Sequence, residues 1–153
     1  MMEFSHDEFI SLVIHQTDLK LTSCVKSLLA PFDVTPEQNL VLMEVHKRGG
    51  LTQNEIAERL KKDKTNIARM VCQLEQKGFI HRQVDPVDRR SLNVHLTSRG
   101  EELRNQTRLV AEDFTQAICS GLTKEQLEQF RMVLATLCDN AHAAVLVSTD
   151  KSE

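Results

Sequence analysis

Between Ile10 and Leu29 the apolar residues Ile10, Val13, Ile14, Leu21, Val25, Leu28 and Leu29 recur at the spacing of one helix face, and the run stops short of Pro31. A second helix is predicted after Thr35, which can cap it with Pro36 in the first position and Gln38 reaching back. Leu40, Met43 and Val45 are its expected inward residues, and Gly49-Gly50 stops it. In Leu51-Thr52-Gln53-Asn54-Glu55-Ile56 the pair Thr52 and Glu55 forms a capping box, bracketed by Leu51 and Ile56 as a hydrophobic staple, and this begins a compact third helix. Lys61-Lys62-Asp63 then makes a short turn, with Asp63 placed to cap a fourth helix that runs to Lys77 and is closed by Gly78. Ile67, Met70, Val71 and Leu74 form its buried stripe. The opposite face presents Thr65, Arg69, Cys72 and Gln76, flanked by Asn66, Ala68 and Gln73.

The hydrophobic period next changes from the helical value to two. Leu92, Val94 and Leu96 alternate with Asn93 and His95, Phe79 to Val84 supplies a partner strand, and the charged loop Asp85-Pro86-Val87-Asp88-Arg89-Arg90-Ser91 joins them as a hairpin. Thr97 or Ser98 starts a fifth helix with Leu103, Val110, Phe114, Ala117 and Ile118 inward, ended by Gly121. A sixth opens on a second capping box, Thr123 with Gln126, and carries Leu127, Phe130, Leu134, Leu137 and Ala141. Residues 148–153 read as a frayed tail.

Composition narrows the class. A chain of 153 residues suits one ordinary domain, or a small domain extended by helices that need a partner chain to bury their apolar faces. With no Trp, no Tyr and six Phe, packing must rest on aliphatic side chains. No apolar run approaches the ~18 residues of a membrane span. The start Met1-Met2-Glu3-Phe4-Ser5-His6-Asp7-Glu8 lacks the positive flank of a signal peptide, so a cytoplasmic location with no membrane partner is expected. Cys24, Cys72, Cys119 and Cys138 are scattered without a C-x-x-C and read as reduced thiols. The net charge of −3 is unevenly spread. Gly50 to Gly100 holds ten bases and six acids, against nine bases and sixteen acids elsewhere, a basic centre between acidic ends.

Two short helices joined by a tight turn, the second with a small polar and basic outward face, have the form of a helix-turn-helix. In a major groove an Asn such as Asn66 pairs with adenine, an Arg such as Arg69 with guanine, and the methyl groups of Thr65 or Ala68 meet thymine. Arg69, Lys62 and Lys64 are equally suited to phosphates, and the sequence leaves these roles open, as it leaves open an ordinary amphipathic helix with a solvated face. The hairpin adds Arg89 and Arg90 at its tip, where narrow minor grooves attract Arg, or where a solvated turn would carry a surface ion pair. Asp88 is expected to hold one guanidinium in orientation.

The stretch Asp63-Lys64-Thr65-Asn66-Ile67-Ala68-Arg69-Met70-Val71, followed by Leu74-Glu75-Gln76-Lys77-Gly78-Phe79-Ile80, resembles the recognition helix and first wing strand of the MarR family. Asp85-Pro86-Val87-Asp88-Arg89-Arg90 and Leu96-Thr97-Ser98-Arg99-Gly100 resemble its wing and following helix start. One departure is Lys61-Lys62, where the family often has a small and an apolar residue. The resemblance implies an α+β, mainly helical fold: a winged helix-turn-helix DNA-binding domain over 35–100 with long N- and C-terminal dimerisation helices over 1–34 and 101–147. It further implies a homodimer on a pseudo-palindromic operator in double-stranded DNA, with Arg90 as minor-groove arginine and Arg69 as a recognition-helix contact. The DNA-binding set is then Lys62, Lys64, Thr65, Asn66, Ala68, Arg69, Gln73, Asp88, Arg89 and Arg90. An effector pocket for a small molecule is implied between the dimer helices and the winged helix, with His15, Leu19, Met43 and His46 as lining.

The chain contains no G-x-S-x-G, phosphate-cradling glycine loop, H-E-x-x-H or dinucleotide fingerprint, so no enzyme, cofactor or metal site is expected. One branch of the family senses oxidants through a cysteine of the first helix, where Cys24 lies. The tyrosines that serve that thiol do not exist here, and Cys24 reads as packing material. The reading is a repressor released by a small ligand or thiol oxidation, set against a winged-helix module that docks protein instead of DNA.

Overall fold

The computed structural model describes residues 9–149, and the side chains of residues 9–146. Of the tail expected at 148–153, Ser148 and Thr149 continue the last helix and the rest lies outside the described residues. The element order is α1 (Ile10–Leu29), α2 (Pro36–Arg48), β1 (Leu51–Thr52), α3 (Gln53–Leu60), α4 (Lys64–Gln76), β2 (Ile80–Val84), β3 (Leu92–Leu96), α5 (Ser98–Ile118) and α6 (Lys124–Thr149), with a 3-10 turn at Ala30–Phe32. The chain divides into two compact units, Met1–Asp113 and Phe114–Glu153.

Local hydrogen bonds set the helix starts. Thr35 and Gln38 bond reciprocally at α2, and Thr52 and Glu55 do so at α3. Asp63 accepts the Asn66 N–H at 2.8 Å at α4, and Thr123 and Gln126 form the same reciprocal pair before α6. Each satisfies donors that a helix N-terminus leaves open and is worth about 1 kcal/mol.

The first unit is organised around Leu42, Ile56, Ile67, Leu74, Ile80 and Val94, all fully buried. At about 1.5–3 kcal/mol per fully buried aliphatic side chain, they dominate its stability. β3 is the central strand of a three-stranded antiparallel sheet in the order β1-β3-β2, pairing Leu51 with Val94 and His81 with His95. The two-residue β1 was not expected from sequence. It follows Gly50, whose φ of +133° suits glycine and whose absent side chain leaves room for His95: a Cβ would stand 2.4 Å from that ring.

Some inward assignments are corrected. On α2 the core stripe is Gln38, Val41, Leu42 and Val45, while Leu40 and Met43 are 43% and 44% exposed, because apolar residues occupy two faces of this helix. Leu92 is exposed because the hairpin runs past the core. On α5 Leu103 is buried, Val110 and Phe114 are half-buried, and Ala117 and Ile118 are exposed. On α6 Leu127, Leu134 and Leu137 are half-buried, whereas Phe130 and Ala141 are exposed. Their helical spacing was read correctly, but a single chain leaves those faces uncovered.

The start of α5 is locked to the end of α4. The Thr97 hydroxyl donates to the Gly78 carbonyl at 2.7 Å and accepts the Gly100 N–H at 3.0 Å, while the Thr97 N–H donates to the Phe79 carbonyl at 3.0 Å. The approach is so close that a Cβ on Gly100 would lie 1.9 Å from the Phe79 oxygen. Ala normally stabilises a helix by about 1 kcal/mol over Gly. Here Gly100→Ala is expected to reverse that sign and cost about 1–3 kcal/mol, as overpacking does. The measurement is urea unfolding, read as a lower midpoint at unchanged slope.

Candidate nucleic-acid interface

The turn before α4 is closed by Lys61 in a left-handed conformation, φ 51°, unusual for a residue with a side chain. Asp63 then caps α4, and its buried stripe is Ile67, Met70, Val71 and Leu74, as the periodicity predicts. That leaves Lys64, Thr65, Arg69, Cys72, Gln73 and Gln76 exposed on the opposite side, with Lys62, Asn66 and Ala68 half-buried beside them. Two of these residues engage each other: an Arg69 guanidinium nitrogen (Nη2) donates to Asn66 Oδ1 at 2.9 Å. Cys72 is exposed as expected, and the Gln76 amide lies 3.8 Å from its Sγ. Cys24, read as packing material, is exposed on α1 of the single chain.

Gln73 is more constrained than its exposure suggests. Its Oε1 accepts a hydrogen bond of 2.9 Å from Gln38 Nε2, and Gln38 itself is only 4% exposed.

Arg89 and Arg90 stand exposed at the tip of the β2–β3 hairpin. Asp85 organises that tip: one carboxylate oxygen accepts the N–H groups of Val87 and Asp88 at 2.7 and 2.8 Å, and the other accepts the Asn93 amide at 2.7 Å. These bonds, the Asp88 and Val87 amides foremost, hold the Asp85 carboxyl below its usual range. Asp88 departs from expectation. Its carboxylate accepts the backbone N–H of Arg90 at 3.0 Å, its carbonyl accepts that of Ser91 at 2.9 Å, and among the described residues it forms no ion pair with either arginine. A backbone amide two residues away is always within reach, whereas an exposed guanidinium is solvated. Asp88 therefore shapes the turn that carries Arg90.

An ion pair that sequence reasoning missed ties this hairpin to α4. Arg82 of β2 bonds Glu75 through two guanidinium nitrogens, Nε at 3.1 Å. The bond to Arg82 holds the Glu75 carboxyl below its ordinary range, and in return holds the Arg82 guanidinium above its own. Each side chain is about one-third exposed, so the pair contributes no more than about 1 kcal/mol to stability. Its role is orientation. The seven-residue separation across a turn gave no periodic signal for it.

The four residues expected to line an effector pocket are dispersed in their roles. His15 and Leu19 lie exposed on α1, Met43 is exposed on α2, and His46 Nδ1 sits 2.7 Å from Glu101 Oε2, joining α2 to α5. A hollow against the start of α5 is lined by other residues, among them Pro31, Phe32, Phe79, Arg99 and Glu102. There the Arg99 guanidinium lies 5.0 Å from the centre of the Phe79 ring. Among the described residues no group of three or more His, Cys, Asp or Glu is placed to hold a metal ion, and no helix is long and apolar enough to cross a membrane.

Comparison with known proteins places this geometry. The MarR family model matches residues 34–92. YybA of Bacillus subtilis (strain 168), described as an uncharacterized HTH-type transcriptional regulator, is 30% identical over 102 residues, covering 67% of this chain and 68% of that protein. The multiple antibiotic resistance protein MarR of Escherichia coli (strain K12) is 28% identical over 123 residues, covering 80% of this chain and 85% of that one. Among solved structures, the S. aureus MepR–DNA complex superposes with a TM-score of 0.81 at 27% identity, over 90% of this chain and 99% of that one.

Because its folded carboxyl is depressed, Asp85 stabilises the hairpin tip above the ordinary aspartate range, and that contribution is lost as pH falls through the lower folded value. The Val87 and Asp88 amides are thus expected to stay protected from hydrogen exchange through the ordinary aspartate range and to lose protection only below it. In Asp85→Ala that protection is expected to be absent at neutral pH, which amide NMR measures directly.

Proposed function

The chain belongs to the MarR family, and from that membership we propose that it is a transcriptional regulator binding a pseudo-palindromic DNA operator as a homodimer. The observation that carries the reading is the joint presentation of two unlike contact elements. One face of α4 offers Thr65, Asn66, Ala68 and Arg69, and a braced hairpin offers Arg89 and Arg90 beside it. A helix of this diameter fits the major groove, and an arginine on a hairpin suits the minor groove. The likeness to the chain of the S. aureus MepR–DNA complex supports the same assignment. Lys62 and Lys64, at the start of α4, supply charge for phosphates.

In this reading residues 35–100 are the DNA-binding domain, and 1–34 and 101–147 provide dimerisation helices. Support comes from the apolar side chains left in solvent on α1 (Ile10, Val13, Ile14, Leu21) and on α6 (Phe130, Met132, Val133, Val145). The regulator is cytoplasmic, where its DNA is, and acts as a repressor by occluding a promoter. It has no catalytic step. A small effector seated against His15, Leu19, Met43 and His46 would act by shifting α2 against α5, since His46 and Glu101 bond across those helices.

Sedimentation at micromolar concentration is expected to give a dimer that loses its fold on dissociation; a stable folded monomer overturns the dimer assignment. Binding to an operator selected from random duplexes is expected to fall steeply with salt, by about 0.9 in log K per log salt for each phosphate neutralised. Arg69→Ala should cost about 1–3 kcal/mol and relax preference at one position of each half-site. Arg90→Ala should lower the salt slope and soften the preference for A·T-rich flanks while leaving the core sequence intact. Absent or salt-insensitive binding instead favours a module that docks protein.

A further inference from the structure

The hydrogen-bond chain behind α4 has a fixed polarity. It starts at the backbone N–H of Thr35, which can only donate, and which bonds Gln38 Oε1 at 3.2 Å. The oxygen end of the Gln38 amide is thereby assigned, so its nitrogen end is the one facing Gln73, where it donates to Oε1 at 2.9 Å. Amide orientations are ordinarily ambiguous, but a donor-only group at the head of a chain removes the ambiguity from every member. Gln38 is buried at 4% exposure while Gln73 is exposed, so the chain runs from the core to the outward face of the helix. With its oxygen accepting from Gln38, the Gln73 amide has its nitrogen, which carries donors alone, left for another partner.

We infer that Gln73 is a base-reading residue of donor-only character and that the buried Gln38 is the positioning residue that makes it so. An unconstrained glutamine pairs with adenine through one donor and one acceptor. This one already has its acceptor oxygen engaged by Gln38. It therefore favours edges that only accept, N7 and O6 of guanine or O4 of thymine, over adenine and over cytosine, whose N4 is a donor. Gln73 shares its helix face with Arg69 and Asn66, one and two turns back, which aims all three at the same groove. The inference rests on the DNA-binding reading proposed above.

The test is a binding selection of the full-length protein on random duplexes at one salt concentration, with wild type and three variants. Wild type is expected to show a position preferring guanine or thymine by roughly 3- to 10-fold, the scale of one net hydrogen bond, and Gln73→Ala to flatten that position alone. Gln38→Glu, assayed at a pH high enough to ionise it, keeps an acceptor for Thr35, so the capping box persists, but it cannot donate. The Gln73 amide then turns to donate inward, and the preference should move toward adenine or cytosine by a similar factor. Gln38→Met, matched in size, frees Gln73 and should admit adenine without excluding guanine. An unchanged preference in both Gln38 variants overturns the relay. A uniform loss of affinity in Gln73→Ala, with no change in base preference, means a phosphate contact and overturns base reading. Wild type that binds no duplex overturns the regulator reading itself, and this inference with it.

Discussion

The Thr97 hydroxyl is the point on which the functional geometry depends. By donating to Gly78 and accepting from Gly100, it fastens the C-terminal end of α4 to the N-terminal end of α5 through one oxygen. The backbone contact of Gly100 on Phe79 leaves no slack, so α5 and the end of α4 meet closely. A change in how the start of α5 is held would reach the end of α4 through this junction.

Around that junction the reading surface is held from three sides. Glu75 and Arg82 set the hairpin against α4, Asp85 and Asp88 shape the hairpin tip, and Gln38 fixes the amide of Gln73 from within the core. None of these contacts contributes much stability, being exposed or neutral. Their value is that the exposed side chains of α4 and the hairpin are already oriented, which lessens the ordering cost of any association they make.

The sequence revealed what is encoded locally. The helix starts at Thr35, Thr52, Asp63 and Thr123 were legible because a cap and its partner lie three residues apart, and the buried stripe of α4 because one face alone is apolar. Leu40 and Met43 were misplaced because α2 is apolar on two faces, and β1 was missed because two residues carry no period. Asp88 was assigned to a guanidinium because charge was weighed ahead of the nearer backbone amide. Gln38 with Gln73, Glu75 with Arg82 and His46 with Glu101 are joined only by the fold, so nothing in their spacing announced them.

The capping boxes carry a consequence for synthesis. Each closes from residues that leave the ribosome almost together, so the starts of α2, α3 and α6 can be marked while the chain is still being extended. The ladder between Leu51 and Val94 has no such option: β1 must wait, unpaired, until the whole helix-turn-helix and the outgoing hairpin strand have been made. Closure of the sheet is thus the non-local step of this unit, the one that carries the entropy of a long loop. Keeping β1 to two residues leaves little unpaired edge in the interval, and little for another nascent chain to seize.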